Sequence, residues 1–507
     1  MRRYPIDGNI ELVREWTRVI CAFAFLAGLP FGIRAGTSAE LQLRVGLLSD
    51  VHIPAYDDNA ANYYRKALEY FRDKEVDAVL VSGDLSINGT IAELEAGARV
   101  WYEVFPDDCL PNGQKVVRLF CTGNHDDDGW IYAYPENYRD LDDVKAKTFY
   151  FHRQETWRRL YHEEWNPVFL KEVKGYKFIL RNWVGIGGTE SRRKGISSGV
   201  QDESNPLPKW FAAHSGELPV DRPFFLVQHD PPTGGCNLRG VDASITDGGI
   251  GCRIIGGFPN AVVLSGHSHF SIGIDQSISQ DSFTSVNLGS LCGFGFCYDG
   301  RENGHGNFDY NQLPAPEMPP IDFHSCRQGL LMEVFADRIC FVRLDFVTGK
   351  RFNGDWIVPV GTGSGRPYRS DVRSVKSLAP EFPADAEVGI RFLNDGANRK
   401  GERHSQVEVS FPTITGLDGK CDRAFDYEIS AEFTIADLVV PRFTKRVFSP
   451  GCLLPPENDV GVSTCRFAVR DFPGNQRVRF AVTPLNEWGK RGKTLRSEWV
   501  SSKTFER

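Results

Sequence analysis

Short apolar runs alternate with stretches of helical spacing between residues 42 and 359. The run Val76–Val81 is typical of a buried strand, and the apolar residues of Ala61–Lys74 recur at the spacing of one helix face. Thr90–Tyr102 is predicted to form another helix, and Val116–Cys121 another strand. Further short strands are expected at Phe178–Leu180, Phe224–Val227 and Ala261–Leu264. Alternation of strands and helices predicts an α/β core with buried sheets.

The pattern changes beyond residue 360. Gly361–Pro367 has the composition of a linker. After it, apolar and polar residues alternate with a period of two in Val407–Phe411, Tyr427–Phe433 and Val478–Val482, which predicts a β-sandwich. Because 507 residues exceed what one core usually holds, we expect an α/β domain at 40–360, a linker at 361–372 and a β-sandwich at 373–507.

The first 39 residues have the features of a targeting segment. Arg14 and Arg18 precede the apolar run Val19–Ile33, which has the length of a signal-peptide core and is short for a membrane span. Thr37-Ser38-Ala39 supplies small residues for cleavage before Glu40. We therefore expect a signal peptide at 1–39 and a secreted, periplasmic or cell-surface protein. An uncleaved N-terminal anchor is the alternative.

Export would permit disulfide bonds, and the chain has 12 cysteines. Three pairs are close enough in sequence to bond: Cys236 with Cys252, Cys292 with Cys297, and Cys452 with Cys465. Spacing alone does not determine the connectivity. Cys121 and Cys340 lie inside apolar runs, so we expect them to be buried apolar side chains.

The composition, with 41% hydrophobic and 25% charged residues, is that of an ordinary globular protein. The formal net charge is -7, and the chain has no long basic block. Nucleic acid is therefore not favoured as a partner.

Five polar stretches each follow a predicted strand. After the apolar run Val45–Leu48 come Asp50 and His52, which lean to the same side because they are two residues apart on an extended chain. The other stretches are Gly83-Asp84 with Gly89, Gly123-Asn124-His125-Asp126, Gln228-His229-Asp230 and Gly266-His267-Ser268-His269. In open α/β sheets, ligand-binding groups gather at the carboxyl ends of strands, so we expect all five stretches to meet at one edge.

The residue types in these stretches indicate a metal site. They offer two carboxylates, four imidazoles and one amide oxygen, from Asp50, Asp84, His52, His229, His267, His269 and Asn124. This set has no thiolate and suits Mn, Fe or Zn in pairs better than a structural zinc. A carboxylate such as that of Asp84 can bridge two metals, and a metal pair can clamp a phosphate and generate a hydroxide.

In these five blocks the chain resembles the calcineurin-like metallophosphoesterase family, over residues 42–359. The resemblance implies a four-layer α/β/β/α sandwich and a hydroxide nucleophile that bridges the metals. It also implies two ligand sets: Asp50, His52, Asp84 and His269 for one metal, and Asp84, Asn124, His229 and His267 for the other. His125 would be the general acid that protonates the leaving alkoxide. Asp126 would orient His125 or would only start a helix.

The stretch Gly83–Thr90, with Glu93 and Glu95, is similar to the subgroup of cyclic-nucleotide-type phosphodiesterases. It favours a small phosphodiester as substrate. A phosphomonoesterase acting on phosphoproteins or sugar phosphates is the alternative, and a surface-binding protein with a vestigial catalytic domain is another. The C-terminal region, which ends in Val478–Val482 and Asn486–Gly489, resembles a fibronectin type III module. That module would contact a cell surface or stabilise the catalytic domain.

Overall fold

The computed structural model describes residues 40–55, 58–130, 141–184, 206–236, 246–293, 316–317, 326–352, 354–361, 363, 365–393, 405–416, 419–435, 438–455, 461–472 and 474–505. The predicted signal peptide at 1–39 lies outside these residues, so it stays a prediction. No described helix is long and apolar enough to cross a membrane.

The strands and helices of the α/β region follow the predicted alternation. The strands in chain order are β1 (Leu41–Leu48), β2 (Ala78–Ser82), β3 (Val117–Cys121), β4 (Val168–Val173), β5 (Tyr176–Arg181), β6 (Phe224–Val227), β7 (Ala261–Ser265), β8 (Ile278–Ser279), β9 (Thr284–Asn287), β10 (Pro316–Glu317), β11 (Gln328–Phe335), β12 (Arg338–Asp345), β13 (Lys350–Arg351) and β14 (Trp356–Pro359). The helices are α1 (Asp58–Asp73), α2 (Ile91–Val104), α3 (Asn124–Asp128), α4 (Leu141–Lys147), α5 (Arg153–Tyr161), α6 (Leu207–His214), α7 (Ile250–Ile255) and α8 (Ser370–Lys376).

Two sheets face each other at the centre of this region. The first has the order β13-β12-β11-β1-β2-β3, with β14 also paired to β12, and the second has the order β4-β5-β6-β7-β9-β8. Strands β1, β2 and β3 are parallel, as are β5, β6, β7 and β9. One buried cluster combines side chains from both sheets, among them Leu47, Phe178 and Phe341. The sheets therefore pack face to face.

Helices cover the outer faces of the two sheets. Phe71 of α1 and Trp101 of α2 pack in one buried cluster with Val79 of β2. On the other side, Phe211 of α6 packs in a cluster with Leu226 of β6. The arrangement of helix, sheet, sheet and helix confirms the predicted four-layer fold.

The start of α2 has a clear local cause. Thr90 accepts a hydrogen bond from the Glu93 backbone amide, and the Glu93 side chain accepts one from the Thr90 amide in return. This capping box satisfies two amides that a helix leaves without intrahelical partners. The helix therefore starts at Ile91, close to the predicted boundary.

The hydrophobic pattern did not predict β11 and β12. Strand β11 pairs antiparallel with both β1 and β12, which places the two strands in the first sheet.

The C-terminal region is built from β-sheets, as predicted. Its strands are β15 (Gly389–Leu393), β16 (Gln406–Pro412), β17 (Asp426–Ile435), β18 (Leu438–Phe448), β19 (Val462–Ala468), β20 (Arg477–Leu485), β21 (Leu495–Arg496) and β22 (Val500–Ser501). One sheet has the order β15-β16-β19, and the other has the order β10-β18-β17-β20-β21, with β22 also paired to β20. Val409, Tyr427 and Phe480 share one buried core, which is consistent with a β-sandwich. Residues 40–507 form one compact unit.

Two of the cysteine pairs that the spacing allowed, Cys236 with Cys252 and Cys452 with Cys465, are not formed. Cys236, Cys252, Cys292 and Cys452 are all free thiols. The thiol of Cys452 lies 3.0 Å from the Ala424 carbonyl oxygen, in a different apolar cluster from Cys465. Cys297 lies outside the described residues. Sequence proximity failed as a guide because the fold gives these thiols other neighbours.

Candidate metal centre

The carboxyl ends of five parallel strands bring the predicted ligands together. Asp50 and His52 follow β1, and Asp84 and Asn124 follow β2 and β3 of the same sheet. His229 follows β6, and His267 and His269 follow β7 of the facing sheet. Six of these side chains are buried, and His267 is half-buried. The predicted ligands therefore come together as expected, but at the edges of two facing sheets and not at the edge of one sheet.

Five of these seven residues adopt left-handed backbone conformations. The φ angles are 52° at Asp50, 51° at His52, 53° at Asp84, 63° at His267 and 52° at His269. Such conformations cost residues with a side chain about 1–3 kcal/mol each and persist only where the surrounding structure enforces them. The turns aim several side chains back toward one point, so the backbone strain is concentrated at this site.

Two glycines make the close approach of the loops possible. Gly83 has a φ angle of 108°, and a Cβ atom there would lie 2.6 Å from Nδ1 of His229. A Cβ atom at Gly266 would overlap Oγ of Ser49 and Oδ2 of Asp50. Space therefore requires glycine at both positions, and at Gly83 the backbone conformation requires it as well.

The first ligand group consists of Asp50, His52, Asp84 and His269, whose ligand atoms all lie within 4.8 Å of one another. Nε2 of His269 lies 3.0 Å from Oδ1 of Asp50 and 3.2 Å from Nε2 of His52. Nε2 of His52 lies 3.5 Å from Oδ2 of Asp84. These four residues are the set expected for one metal.

The second ligand group consists of Asp84, His229 and His267, again within 4.8 Å. Nε2 of His229 lies 3.1 Å from Oδ2 of Asp84 and 3.1 Å from Nδ1 of His267. Oδ1 of Asn124 lies 3.0 Å from Nε2 of His229, so the amide oxygen reaches the same point. Asp84 therefore belongs to both groups.

The donor set fits a pair of cations. Oδ2 of Asp84 is buried and takes no hydrogen bond of good geometry from the described residues. Nε2 of His52 and Nε2 of His269 are in contact, and only one of the two nitrogens can carry a proton that lies between them. A metal ion would satisfy the carboxylate and both nitrogens at once. The buried Asp and His cluster thus fits a dinuclear metal site.

The electrostatics of the histidines agree with a cation site. Burial lowers the pKa of His52 to about 4, and the neighbouring His125 adds to the effect. Burial and the imidazole of His229 likewise lower the pKa of His267 to about 4. These two imidazoles are therefore neutral at neutral pH, the form that binds metals. Burial would also lower the pKa of His229, but the Asp84 carboxylate raises it to about 10.

The two carboxylates are anionic. Although burial acts in the opposite direction, the imidazoles of His269 and His52 hold the pKa of Asp50 well below its usual range. The pKa of Asp84 is lowered in the same way, chiefly by His229. The two carboxylates attract cations, and a metal ion would displace the proton that Asp84 holds on His229.

Main-chain carbonyls fix the orientation of two ligand imidazoles. Nδ1 of His229 donates to the Ser82 carbonyl oxygen at 2.9 Å, and Nδ1 of His269 donates to the Gly293 carbonyl oxygen at 3.2 Å. Each bond leaves Nε2 as the nitrogen that faces the cluster. Sequence reasoning missed these partners, because a backbone acceptor leaves no signature in residue types.

His125 lies beside the cluster. Its ring centroid is 4.6 Å from that of His52, and its backbone amide donates to Oδ1 of Asp84 at 2.8 Å. Nδ1 of His125 donates to the Ile87 carbonyl oxygen at 2.6 Å. The carbonyl of Ile87 therefore orients this imidazole.

Asp126 has other partners. Its carboxylate accepts hydrogen bonds from the backbone amides of Ser86 at 2.8 Å, Gly123 at 2.9 Å and Leu85 at 3.3 Å, and from the Ser86 hydroxyl at 2.8 Å. Burial and the nearby Asp84 charge raise the pKa of Asp126 to about 6. The carboxylate thus ties the loop after β2 to the start of α3, which also contains Asn124 and His125.

Residues 43–271 match the family model of the calcineurin-like phosphoesterases. This segment is a calcineurin-like phosphoesterase domain. The segment contains the two facing sheets and most of the buried Asp and His cluster described above, and the family that it matches consists of phosphoesterases, which are hydrolases. A comparison with curated proteins found no match.

Several solved structures resemble the chain over part of its length. A dimetal phosphatase from Danio rerio shows 12% identity and a TM-score of 0.36, with 64% of this chain and 100% of that chain covered. GAP50 from Plasmodium shows 12% identity and a TM-score of 0.36, with coverages of 66% and 94%. The purple acid phosphatase PPD1 from yellow lupin shows 11% identity and a TM-score of 0.35, with coverages of 64% and 55%.

Proposed function

We propose that the chain is an exported, dinuclear-metal-dependent phosphodiesterase. The observation that carries the proposal is the shared carboxylate of Asp84, which belongs to two buried ligand groups. Asp50, His52, Asp84 and His269 would hold one metal, and Asp84, Asn124, His229 and His267 the other. The mixed oxygen and nitrogen ligands suit Mn, Fe or Zn. When bound, such a pair supplies a hydroxide nucleophile and offsets charge on the phosphoryl oxygens.

His125 is the proposed general acid. The Ile87 carbonyl oxygen binds its Nδ1 at 2.6 Å, which leaves Nε2 to deliver a proton to the leaving alkoxide. The backbone amide of His125 binds Asp84, so the same residue also steadies the shared carboxylate. Asp126 would act indirectly, by holding the loop that contains His125 and Asn124 in place.

The diester preference is proposed from the sequence of the loop after β2. The stretch Gly83–Thr90, with Glu93 and Glu95, is similar to the subgroup of cyclic-nucleotide-type phosphodiesterases. In the structure this stretch contains the shared ligand Asp84 and leads into α2. A small phosphodiester is therefore the proposed substrate.

Export is proposed from the N-terminal sequence. The apolar run Val19–Ile33 and the small residues before Glu40 have the pattern of a cleaved signal peptide. Strand β1 begins at Leu41, directly after the predicted cleavage site. N-terminal sequencing of the protein recovered outside the cytoplasm should give Glu40 as the first residue. Recovery of the full-length chain with the cytoplasmic fraction would contradict export.

The ester preference is tested with a matched pair of chromogenic substrates. We expect kcat/KM for bis(p-nitrophenyl) phosphate to exceed that for p-nitrophenyl phosphate in the Mn²⁺-loaded protein. The reverse order would assign a phosphomonoesterase instead. Failure to hydrolyse either ester, in a protein that binds no metal, would leave a surface-binding protein with a vestigial catalytic domain.

A further inference from the structure

The C-terminal sandwich packs directly on the segment that follows the metal ligands of β7. This segment, residues 270–277, starts one residue after His269 and is called the ligand-loop extension below. Phe270 and Ile274 of the extension share a buried apolar cluster with Phe425, Phe448 and Leu453 of the sandwich. The cluster links the two regions within a few residues of the candidate metal centre.

A buried carboxylate from the sandwich binds the far end of the extension. Glu487, in the turn after β20, accepts hydrogen bonds from the backbone amides of Asp275 at 2.9 Å and Gln276 at 3.0 Å. Arg423 binds both acidic side chains, with Nη2 at 3.1 Å from Glu487 and 3.0 Å from Asp275. The Glu487 side chain is only 5% exposed, so these hydrogen bonds form away from water, where they are stronger than in solvent.

The near end of the extension is held as well. The carbonyl oxygen of Leu453 accepts hydrogen bonds from Oγ of Ser271 at 3.1 Å and from Nε2 of Gln328 at 2.9 Å. Oε1 of Gln328 in turn accepts a hydrogen bond from the Ile272 amide at 2.9 Å. At Gly273 a Cβ atom would lie 2.5 Å from the Cys452 carbonyl oxygen. The sandwich and the extension therefore touch backbone to backbone.

These contacts have a consequence for the metal centre. His267 and His269 both have left-handed backbones, with φ angles of 63° and 52°. Strained turns of this kind persist only where the surrounding structure enforces them. Strand β7 fixes the segment before the turn, and the sandwich fixes the segment after it.

We propose that Glu487 and the sandwich around it position His267 and His269 for metal binding. The inference rests on the proposed function, because it assigns these histidines as ligands. Glu487 is a positioning residue that touches neither metal nor substrate. The sandwich thus supports the metal centre, and a chain without the sandwich should bind metal more weakly.

The test measures Mn²⁺ binding to the full chain rather than activity alone. Free Mn²⁺ is counted by electron paramagnetic resonance during titration of the metal-free protein. Glu487→Ala should weaken binding by about 10-fold or more, the range found for residues that support metal ligands. The amides of Asp275 and Gln276 bind different oxygens of Glu487, so Glu487→Gln keeps an acceptor for one of them and should restore part of the affinity.

Glu432→Ala is the matched control. Glu432 is a buried carboxylate of the same sandwich and binds Arg479 at 2.7 Å, on strand β17 and not at the extension. It should leave Mn²⁺ affinity unchanged, even if it lowers the melting temperature. Equal losses for Glu432→Ala and Glu487→Ala would show a general effect of sandwich stability and overturn the positioning role.

The outcomes separate the two proposals. A wild-type chain that binds no Mn²⁺ overturns the proposed function, and the positioning role with it. A wild-type chain that binds two Mn²⁺ ions, together with a Glu487→Ala chain that binds them equally well, overturns only the positioning role.

If Glu487→Ala fails to fold, Phe448→Leu replaces it, because Phe448 packs in the cluster of Phe270. It must then lose more affinity than Phe433→Leu, a control that is buried in the sandwich core.

Discussion

Oδ2 of Asp84 lies 3.1 Å from Nε2 of His229, and both side chains are buried. The same oxygen lies 3.5 Å from Nε2 of His52, on the other side of the cluster. One carboxylate thus connects residues from two facing sheets. A dinuclear centre would depend on Asp84 more than on any other single residue.

Asp84→Asn should therefore weaken binding of both metals, because Asp84 belongs to both ligand groups. Asparagine keeps the size of the side chain and an oxygen for the His125 amide, but it loses the negative charge between the two groups. We expect the metal content to fall from two to at most one per chain. Activity should fall on the order of 1000-fold, because the metals contribute several kcal/mol. Metal analysis and kcat measure the two effects.

Asp345→Asn is the control for this substitution. Asp345 is buried and accepts hydrogen bonds from the amide and hydroxyl of Thr348, at the end of β12. It should lower stability without changing the metal content. A full complement of two metals in Asp84→Asn would contradict the shared-ligand assignment.

His125→Ala tests the general acid. Loss of a positioned proton donor typically costs about 100- to 10000-fold in rate. We expect this loss for a diester with an alkyl leaving group and a much smaller loss for p-nitrophenolate, which leaves without protonation. The metal content should stay at two per chain. His152→Ala, at an exposed position, is the control. Equal losses for both leaving groups would argue against proton donation.

Gly266→Ala tests the crowding at the turn before His267. The added Cβ atom would overlap Ser49 and Oδ2 of Asp50, which accepts a hydrogen bond from the His267 amide at 3.0 Å. We expect Mn²⁺ affinity to fall about 10-fold or more, as when a supporting contact of a ligand is lost. At Gly257 a Cβ atom would have no neighbour within 4 Å, so Gly257→Ala should bind Mn²⁺ normally. Normal binding by both variants would contradict the packing.

The state of the cysteines gives a further prediction. Burial raises the pKa of Cys252 and of Cys340 to about 11, so these thiols stay protonated and react slowly in the native protein. Cys236 and Cys452 are also free and buried. In the unfolded chain these four thiols should therefore be alkylated to the same extent with and without prior reduction, as measured by peptide mass spectrometry. Alkylation of any of the four only after reduction would reveal a disulfide bond.

The sequence predicted the site because its signals are local. Each ligand block follows a short apolar strand, and parallel strands bring their carboxyl ends to one edge, so the pattern places Asp50 and Asp84 together. His229 joins them because the second sheet packs on the first. The alternating residues of Tyr427–Phe433 likewise placed a strand correctly. Periodicity and chain direction were sufficient for both inferences.

Other features depend on contacts that residue types do not encode. The left-handed backbone of His269 follows from how its neighbours pack, and the acceptor for His125 is a main-chain carbonyl of Ile87. Glu487 lies more than two hundred residues from Asp275 in sequence. Spacing also allowed disulfides such as Cys236 with Cys252, which are free thiols in the fold. The backbone conformation, the hydrogen-bond partners and the state of the thiols all depend on packing between residues that are distant in sequence.

The central claim is that a metal pair at the shared Asp84 carboxylate drives phosphodiester hydrolysis. The most direct measurement counts metals per chain and follows hydrolysis of bis(p-nitrophenyl) phosphate before chelation, after chelation and after Mn²⁺ is restored. We predict two metals per chain, loss of hydrolysis on chelation and its recovery with Mn²⁺. Hydrolysis that persists in the metal-free protein, or a chain that binds no metal, would contradict the claim.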